Sequence, residues 1–115
     1  MRVPRSQDAV VPEEKVTDYL LNELHPAGRG KARFFQSFGF AVADWAALAK
    51  ALAHHVSDCE AVMVEITPYG RRYVVEGPLV TPDDRNPNLR SVWFVEKDGE
   101  PPRLVTAYPC RMEAQ

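Results

Sequence analysis

The residues best equipped for chemistry crowd into one stretch, Leu24 to Phe35, reading LHPAGRGKARFF. Arg29, Lys31 and Arg33 fall within five residues with no acid among them, and His25 stands just upstream. Alternating cations without a counter-charge are the pattern of an anion site, phosphate above all. His25 adds a group that exchanges a proton near neutral pH, and neighbouring cations favour its neutral form. The position is electrostatically awkward, because the cluster opens a helix. A helix start prefers negative charge, and each misplaced cation costs about 0.3–1 kcal/mol. A bound anion would account for that cost; the plain alternative is a solvated turn. The GRGK run lacks the spacing of a nucleotide P-loop and follows a helix rather than a strand, which argues against that reading.

The elements that must position these residues follow from the rest of the pattern. Pro12, Glu13 and Glu14 suit a helix start, and Val16, Tyr19, Leu20 and Leu24 follow helical spacing, predicting a helix over about 12–24. Pro26 pushes His25 out of the helical region and ends it, and Gly28 and Gly30 make the turn. A second helix is expected over about 30–38, stopped by Gly39. Asp44 is placed to cap a third, with Trp45, Leu48, Leu52 and Val56 on one face. From Ala61 the character changes to β-branched and aromatic runs: 61–67, 72–80, 90–96 and 103–109, separated by Pro-, Asp- and Gly-rich turns. The pattern predicts an α+β fold: three N-terminal helices packed on one face of a four-stranded antiparallel meander. Residues 1–115 read as one domain, with 1–11 a loose or strand-like lead-in.

The last strand, PRLVTAYPCR, is the second dense spot. Simple alternation puts Leu104, Thr106 and Tyr108 on one face and Arg103, Val105 and Ala107 on the other. His54 and His55 close the third helix, where a protonated ring complements the dipole; being adjacent, they do not form a metal pair. Trp45 and Trp93 read as core. Cys59 and Cys110 suit neither a disulfide framework nor a zinc site, and no metal or cofactor is expected. With net charge −2 over 115 residues, the chain has no global basic signature, so nucleic-acid binding needs a local patch. No apolar run is long enough for a membrane span and no signal-peptide pattern opens the chain, so a soluble, cytoplasmic protein is expected.

Taken together, VVPEEKVTDYLLNELHPAGRGKARFFQSFGF, DWAALAKAL, GRRYVVEGPL and RSVWFVEKDGEPPRLVTAYP resemble a small bacterial family known as a domain of unknown function, from about Val10 to Pro109. More distantly the layout is similar to the barnase–EndoU–colicin–RelE group of ribonuclease toxins. That resemblance implies N-terminal helices on a four-stranded sheet and metal-independent RNA cleavage. It also implies a His and a basic residue at a helix working with a strand hydroxyl. Carried onto this chain, His25 becomes the base or acid and Lys31 the basic residue. Thr106 is the strand hydroxyl, and Arg103 meets it only if a β-bulge intervenes.

The expected function is therefore a metal-independent endoribonuclease toxin. His25, Lys31, Thr106 and Tyr108 are catalytic, and Arg29, Arg33 and Arg103 contact phosphate or RNA. Tyr108 is a stacking partner or secondary acid. RNA and a cognate antitoxin or immunity protein are the expected partners, with no membrane. The rival is a non-catalytic module that binds a small partner protein; a weaker third is a phosphate-ligand binder using the same loop. The open face of the sheet discriminates: a concave face lined by His25, Lys31, Arg33 and Thr106 favours the enzyme, an apolar patch the module.

Overall fold

Pro12 and the two glutamates after it do start a helix, but it is short. The computed structural model describes residues 1–110; residues 111–115 of the expected span lie outside the described residues. Helix α1, Glu13–Lys15, gives way at once to a π-turn, Val16–Leu20. The Leu21 N–H closes it on the Val16 carbonyl at 2.8 Å. Such a turn holds one more residue than an α-turn. The widened turn buries Val16, Leu20 and Leu21 together. The expected helix to residue 24 therefore ends early. Asn22 accepts the Leu24 N–H on its side-chain oxygen at 2.9 Å, and Leu24, expected on the helix face, is 92% exposed.

Helix α2, Arg29–Ser37, buries Ala32 and Phe35. It stops at Gly39, whose φ of 105° is the left-handed conformation that glycine adopts without strain. Helix α3, Trp45–Asp58, follows a 3₁₀ turn at Val42–Asp44 and buries Leu48, Leu52 and Val56 as its spacing predicts. Asp44 stands at its N-terminus but makes no side-chain capping bond, contrary to expectation.

Four strands follow: β1 (Ala61–Thr67), β2 (Gly70–Pro78), β3 (Asn88–Val95) and β4 (Arg103–Pro109). They pair antiparallel in sequence order. The fold is α+β, with helices and a four-stranded antiparallel sheet. Tyr73, Val75, Trp93, Leu104 and Ala107 of the sheet share one core with Val16, Leu20, Phe35, Leu48, Leu52 and Val56. The first eleven residues are also tied in. Val3 is buried, the Met1 carbonyl accepts the Ala61 N–H at 2.7 Å, and Val10 exchanges backbone bonds with Pro102 and Leu104 at 2.8 and 3.0 Å.

His55 differs from its expected role as a protonated ring at a helix end. It is 2% exposed. Its Nε2–H donates to the Gly77 carbonyl at 3.0 Å, so Nδ1 accepts the Ser91 hydroxyl proton at 2.8 Å. Ser91 Oγ in turn accepts the Trp93 indole N–H at 2.8 Å. Burial pushes the imidazole below its ordinary value of 6.5, against the opposing pull of the Gly77 and Leu89 backbone and Asp58. The neutral ring is thus the folded form, and the unfolded chain binds the extra proton. This contribution to stability is complete above about pH 6.5 and is lost as pH falls toward the folded value. Thermal unfolding of the wild type is expected to move to lower temperature between pH 7 and pH 5. A His55→Gln variant should start less stable, by about 1–3 kcal/mol, with a flatter profile. A wild-type profile that is flat, or that rises on acidification, contradicts the assignment.

Candidate functional site

One irregularity in β4 decides what meets what. Adjacent residues Val92 and Trp93 of β3 pair with Thr106 and Leu104 of β4, which leaves Val105 as an extra, bulged residue. The simple alternation expected for this strand is thereby overturned. Leu104 and Ala107 both enter the core. Cross-strand partners share a face, so Arg103, Thr106 and Tyr108 lie together on the face away from the helices, with their partners Phe94, Val92 and Arg90. The bulge supplies the shared face that Arg103 and Thr106 required.

Thr106 is half-buried on this edge strand, and its partner comes from the π-turn. The Tyr19 hydroxyl and Thr106 Oγ1 share a hydrogen bond of 2.9 Å. Around that pair stand His25, whose ring meets the Tyr19 ring edge-on at 5.1 Å, Lys31, with Nζ 5.4 Å from the Tyr19 ring centre, and Lys15, at 5.6 Å. Tyr19, His25, Lys15, Val105 and Thr106 line an open depression of about 660 Å³, completed by the exposed carboxylates of Glu14 and Asp18.

The loop between the helices is built onto Tyr19. A Cβ on Gly28 would collide with the Tyr19 carbonyl oxygen and lie 3.2 Å from its ring, so only glycine fits this approach. The same loop fixes the tautomer of His25. Its Nδ1 accepts the N–H groups of Ala27 and Gly28 at 3.0 and 3.2 Å and therefore carries no proton. The neutral ring then bears its hydrogen on Nε2, which makes it a donor. Lys31 Nζ donates to the Ala27 carbonyl at 3.1 Å, which holds the ammonium beside the same turn.

Electrostatics mark Tyr19 as the unusual group. Burial alone would push its phenol up. The Thr106 hydroxyl, the Lys31 ammonium and the charge of Lys15 outweigh that and hold it below its ordinary value of 10.0. Hydrogen bonds and positive charge that favour the phenolate are the means by which a tyrosine becomes an acid–base group.

Of the residues singled out by sequence, His25, Lys31 and Thr106 gather around Tyr19. Arg29 and Arg33 do not: both are exposed on α2, and Arg33 makes a 3.9 Å ion pair with exposed Glu23. Tyr108 is on the sheet face, with the Arg90 guanidinium 5.9 Å from its ring centre. Arg103 is exposed and lines a neighbouring depression. Helical spacing marks Tyr19 as one apolar position of a helix. The signal that separates it is its hydroxyl, which a core-facing position does not need.

Fold and site together define a small α+β protein with a tyrosine–threonine pair at a sheet edge, flanked by an imidazole and two ammoniums. Across residues 2–111 the chain belongs to the family described as a domain of unknown function, DUF6883. Among solved structures it is similar to one chain of a contact-dependent growth inhibition toxin–immunity protein complex from Klebsiella pneumoniae 342. That likeness has a TM-score of 0.73 and 23% identity, over 96% of this chain and 100% of the other. Comparison with curated proteins gives no match. No helix among the described residues is long and apolar enough to cross a membrane.

Titration of the tyrosines by ultraviolet absorbance tests the site without reference to any activity. Among the four tyrosines, Tyr19 should ionise below 10.0. Tyr19→Phe should delete that step and Thr106→Val should move it up. No step below 10.0, or one that survives in Tyr19→Phe, would refute the environment described for Tyr19.

Proposed function

We propose that this chain is a metal-independent endoribonuclease of the toxin type, held in check by a cognate antitoxin or immunity protein. The observation that carries the reading is the Tyr19–Thr106 hydrogen bond set between His25 and two lysines. The similarity in fold to a chain of a toxin–immunity complex supports it. So does the layout of ribonuclease toxins that the sequence resembles, with a helical basic residue and His opposite a strand hydroxyl.

RNA cleavage by internal attack needs a base for the ribose 2′-OH, positive charge for the crowded phosphorane, and a proton for the leaving 5′ oxygen. Tyr19, as phenolate, takes the 2′-OH proton while the 2′ oxygen bonds to phosphorus. Thr106 donates its hydroxyl hydrogen to the phenolate and holds it in place. The Nε2–H of His25 donates to a non-bridging phosphoryl oxygen, so His25 serves as a donor rather than as the base. Lys31 supplies charge to both phenolate and phosphorane. The bond from phosphorus to the 5′ oxygen then breaks, and that oxygen takes its proton from the Lys15 ammonium. The products are a 2′,3′-cyclic phosphate and a 5′-hydroxyl end. Arg29 and Arg33 contact more distant phosphates, and Tyr108 stacks on a base along the sheet face.

A second reading, a non-catalytic module binding a small partner, has its own observation. Edge strand β1 leaves Val62, Met63, Val64 and Ile66 between 40 and 76% exposed. Exposed apolar residues on a sheet edge are a common docking feature. The face beyond it carries Arg72, Arg90, Arg103, Phe94, Tyr108 and Thr106 around an apolar row of Met63, Val74 and Val92.

Incubating the purified protein with total RNA, with and without a chelator, tests the proposal. The wild type should cut in both conditions. Tyr19→Phe should lose about 100-fold or more, the scale of a general acid–base group, and Thr106→Val, His25→Ala and Lys31→Ala should each lose activity. RNA left intact with and without divalent metal, together with harmless expression in cells, would leave the interaction module as the better account.

A further inference from the structure

The depression at Tyr19 does not end at Lys15 and Val105. Both residues also line a second one of about 420 Å³, with Val10, Phe94, Glu96, Glu100, Pro101, Arg103 and Leu104. That volume is within the range of small-ligand sites. The two therefore adjoin at Lys15 and the bulged Val105 of β4.

Phe94 lines the second depression and is half-buried on the sheet face. Register places it between two cations: Arg72 of β2 is its partner on one side and Arg103 of β4 on the other. Its ring is backed by the β1–β2 turn. A Cβ on Gly70 would stand 2.8 Å from two of the ring carbons, so the ring rests directly on backbone. Arg72 is ion-paired with Glu65 at 3.6 Å, whereas Arg103 lines the same depression as the ring. An aromatic ring held on backbone beside one guanidinium suits a stacked base with a phosphate next to it.

The carboxylates of Glu96 and Glu100 give the depression a further character. They come from the β3–β4 loop, which is tied down by the 3.0 Å ion pair of Arg71 with Asp98 and by Arg5, which donates to the Gly99 carbonyl. Acids beside a phosphate path weaken general attraction to RNA. They do accept hydrogen bonds from a base edge that offers donors. Guanine presents two adjacent N–H donors on its Watson–Crick edge, a match to one carboxylate, whereas adenine presents one donor beside an acceptor.

We propose that this second depression is a nucleotide subsite for the residue next to the cleaved phosphate, and that it selects guanine. The base stacks on Phe94, its Watson–Crick edge donates to Glu96 or Glu100, and Arg103 holds the adjoining phosphate. The inference rests on the reading of the chain as a ribonuclease and adds a sequence preference to it.

Short RNA oligonucleotides that differ only in the base on either side of the cut test it. The wild type is expected to show higher kcat/KM with guanine than with adenine at one of the two positions. Phe94→Ala should weaken binding of the preferred oligonucleotide by about tenfold, the low end of what one stacked base contributes, and Phe94→Tyr should restore it. The double variant Glu96→Gln with Glu100→Gln should cut both sequences at similar rates. An unfolding midpoint for each variant separates lost recognition from lost folding. If the wild type cuts RNA with no preference for guanine at either position, or if the variants keep that preference, the subsite is wrong while the ribonuclease reading stands. If the wild type cuts no RNA, both fall.

Discussion

Between Trp93 and Thr106 the sheet carries one residue more on β4 than on β3, and the rest of the site follows from that mismatch. A regular strand would turn every second side chain to the same face. With Val105 inserted, Leu104 and Ala107 both reach the core, while Arg103 and Thr106 emerge together on the other side. Bulges bend and twist a strand locally and re-aim its side chains. Here the bulge sits on an edge strand, where Thr106 can be met by Tyr19 from the helical layer.

The helical layer has its own irregularity to match. The π-turn at Val16–Leu20 lets Val16, Leu20 and Leu21 all enter the core and still leaves Tyr19 at the sheet edge. Gly28 then brings the following loop against Tyr19, and that loop supplies Ala27 and Gly28 N–H groups to His25 and a carbonyl to Lys31. Two local departures from regular geometry, one in each layer, thus converge on a single phenol. π-turns and bulges recur at functional sites.

Much of the architecture was legible in the sequence because it depends on periodicity. Leu48, Leu52 and Val56 on α3, the runs that became β1 to β4 and the stop at Gly39 all follow from spacing and turn chemistry. What escaped were effects that depend on a partner far along the chain. Tyr19 and Thr106 are 87 residues apart, and no local pattern links them. His55 looked like a helix-end cation because its partners, Ser91 and Gly77, lie on the sheet. The basic loop is conspicuous in sequence for its charge, yet its contribution to the site is Lys31 together with a backbone that orients His25. Arg29 and Arg33, equally conspicuous in sequence, remain on the exposed side of α2.

The account stands on the claim that the Tyr19 phenolate directs a ribose 2′-OH onto the neighbouring phosphate. The chemistry of the cut ends reports this most directly. RNA cleaved by the purified protein should carry 2′,3′-cyclic phosphate and 5′-hydroxyl ends, and substrates with 2′-deoxy sugar at the cut should remain whole. Ends bearing 3′-hydroxyl and 5′-phosphate, or cleavage of the 2′-deoxy substrate, would show that water rather than the ribose attacks, and would contradict it.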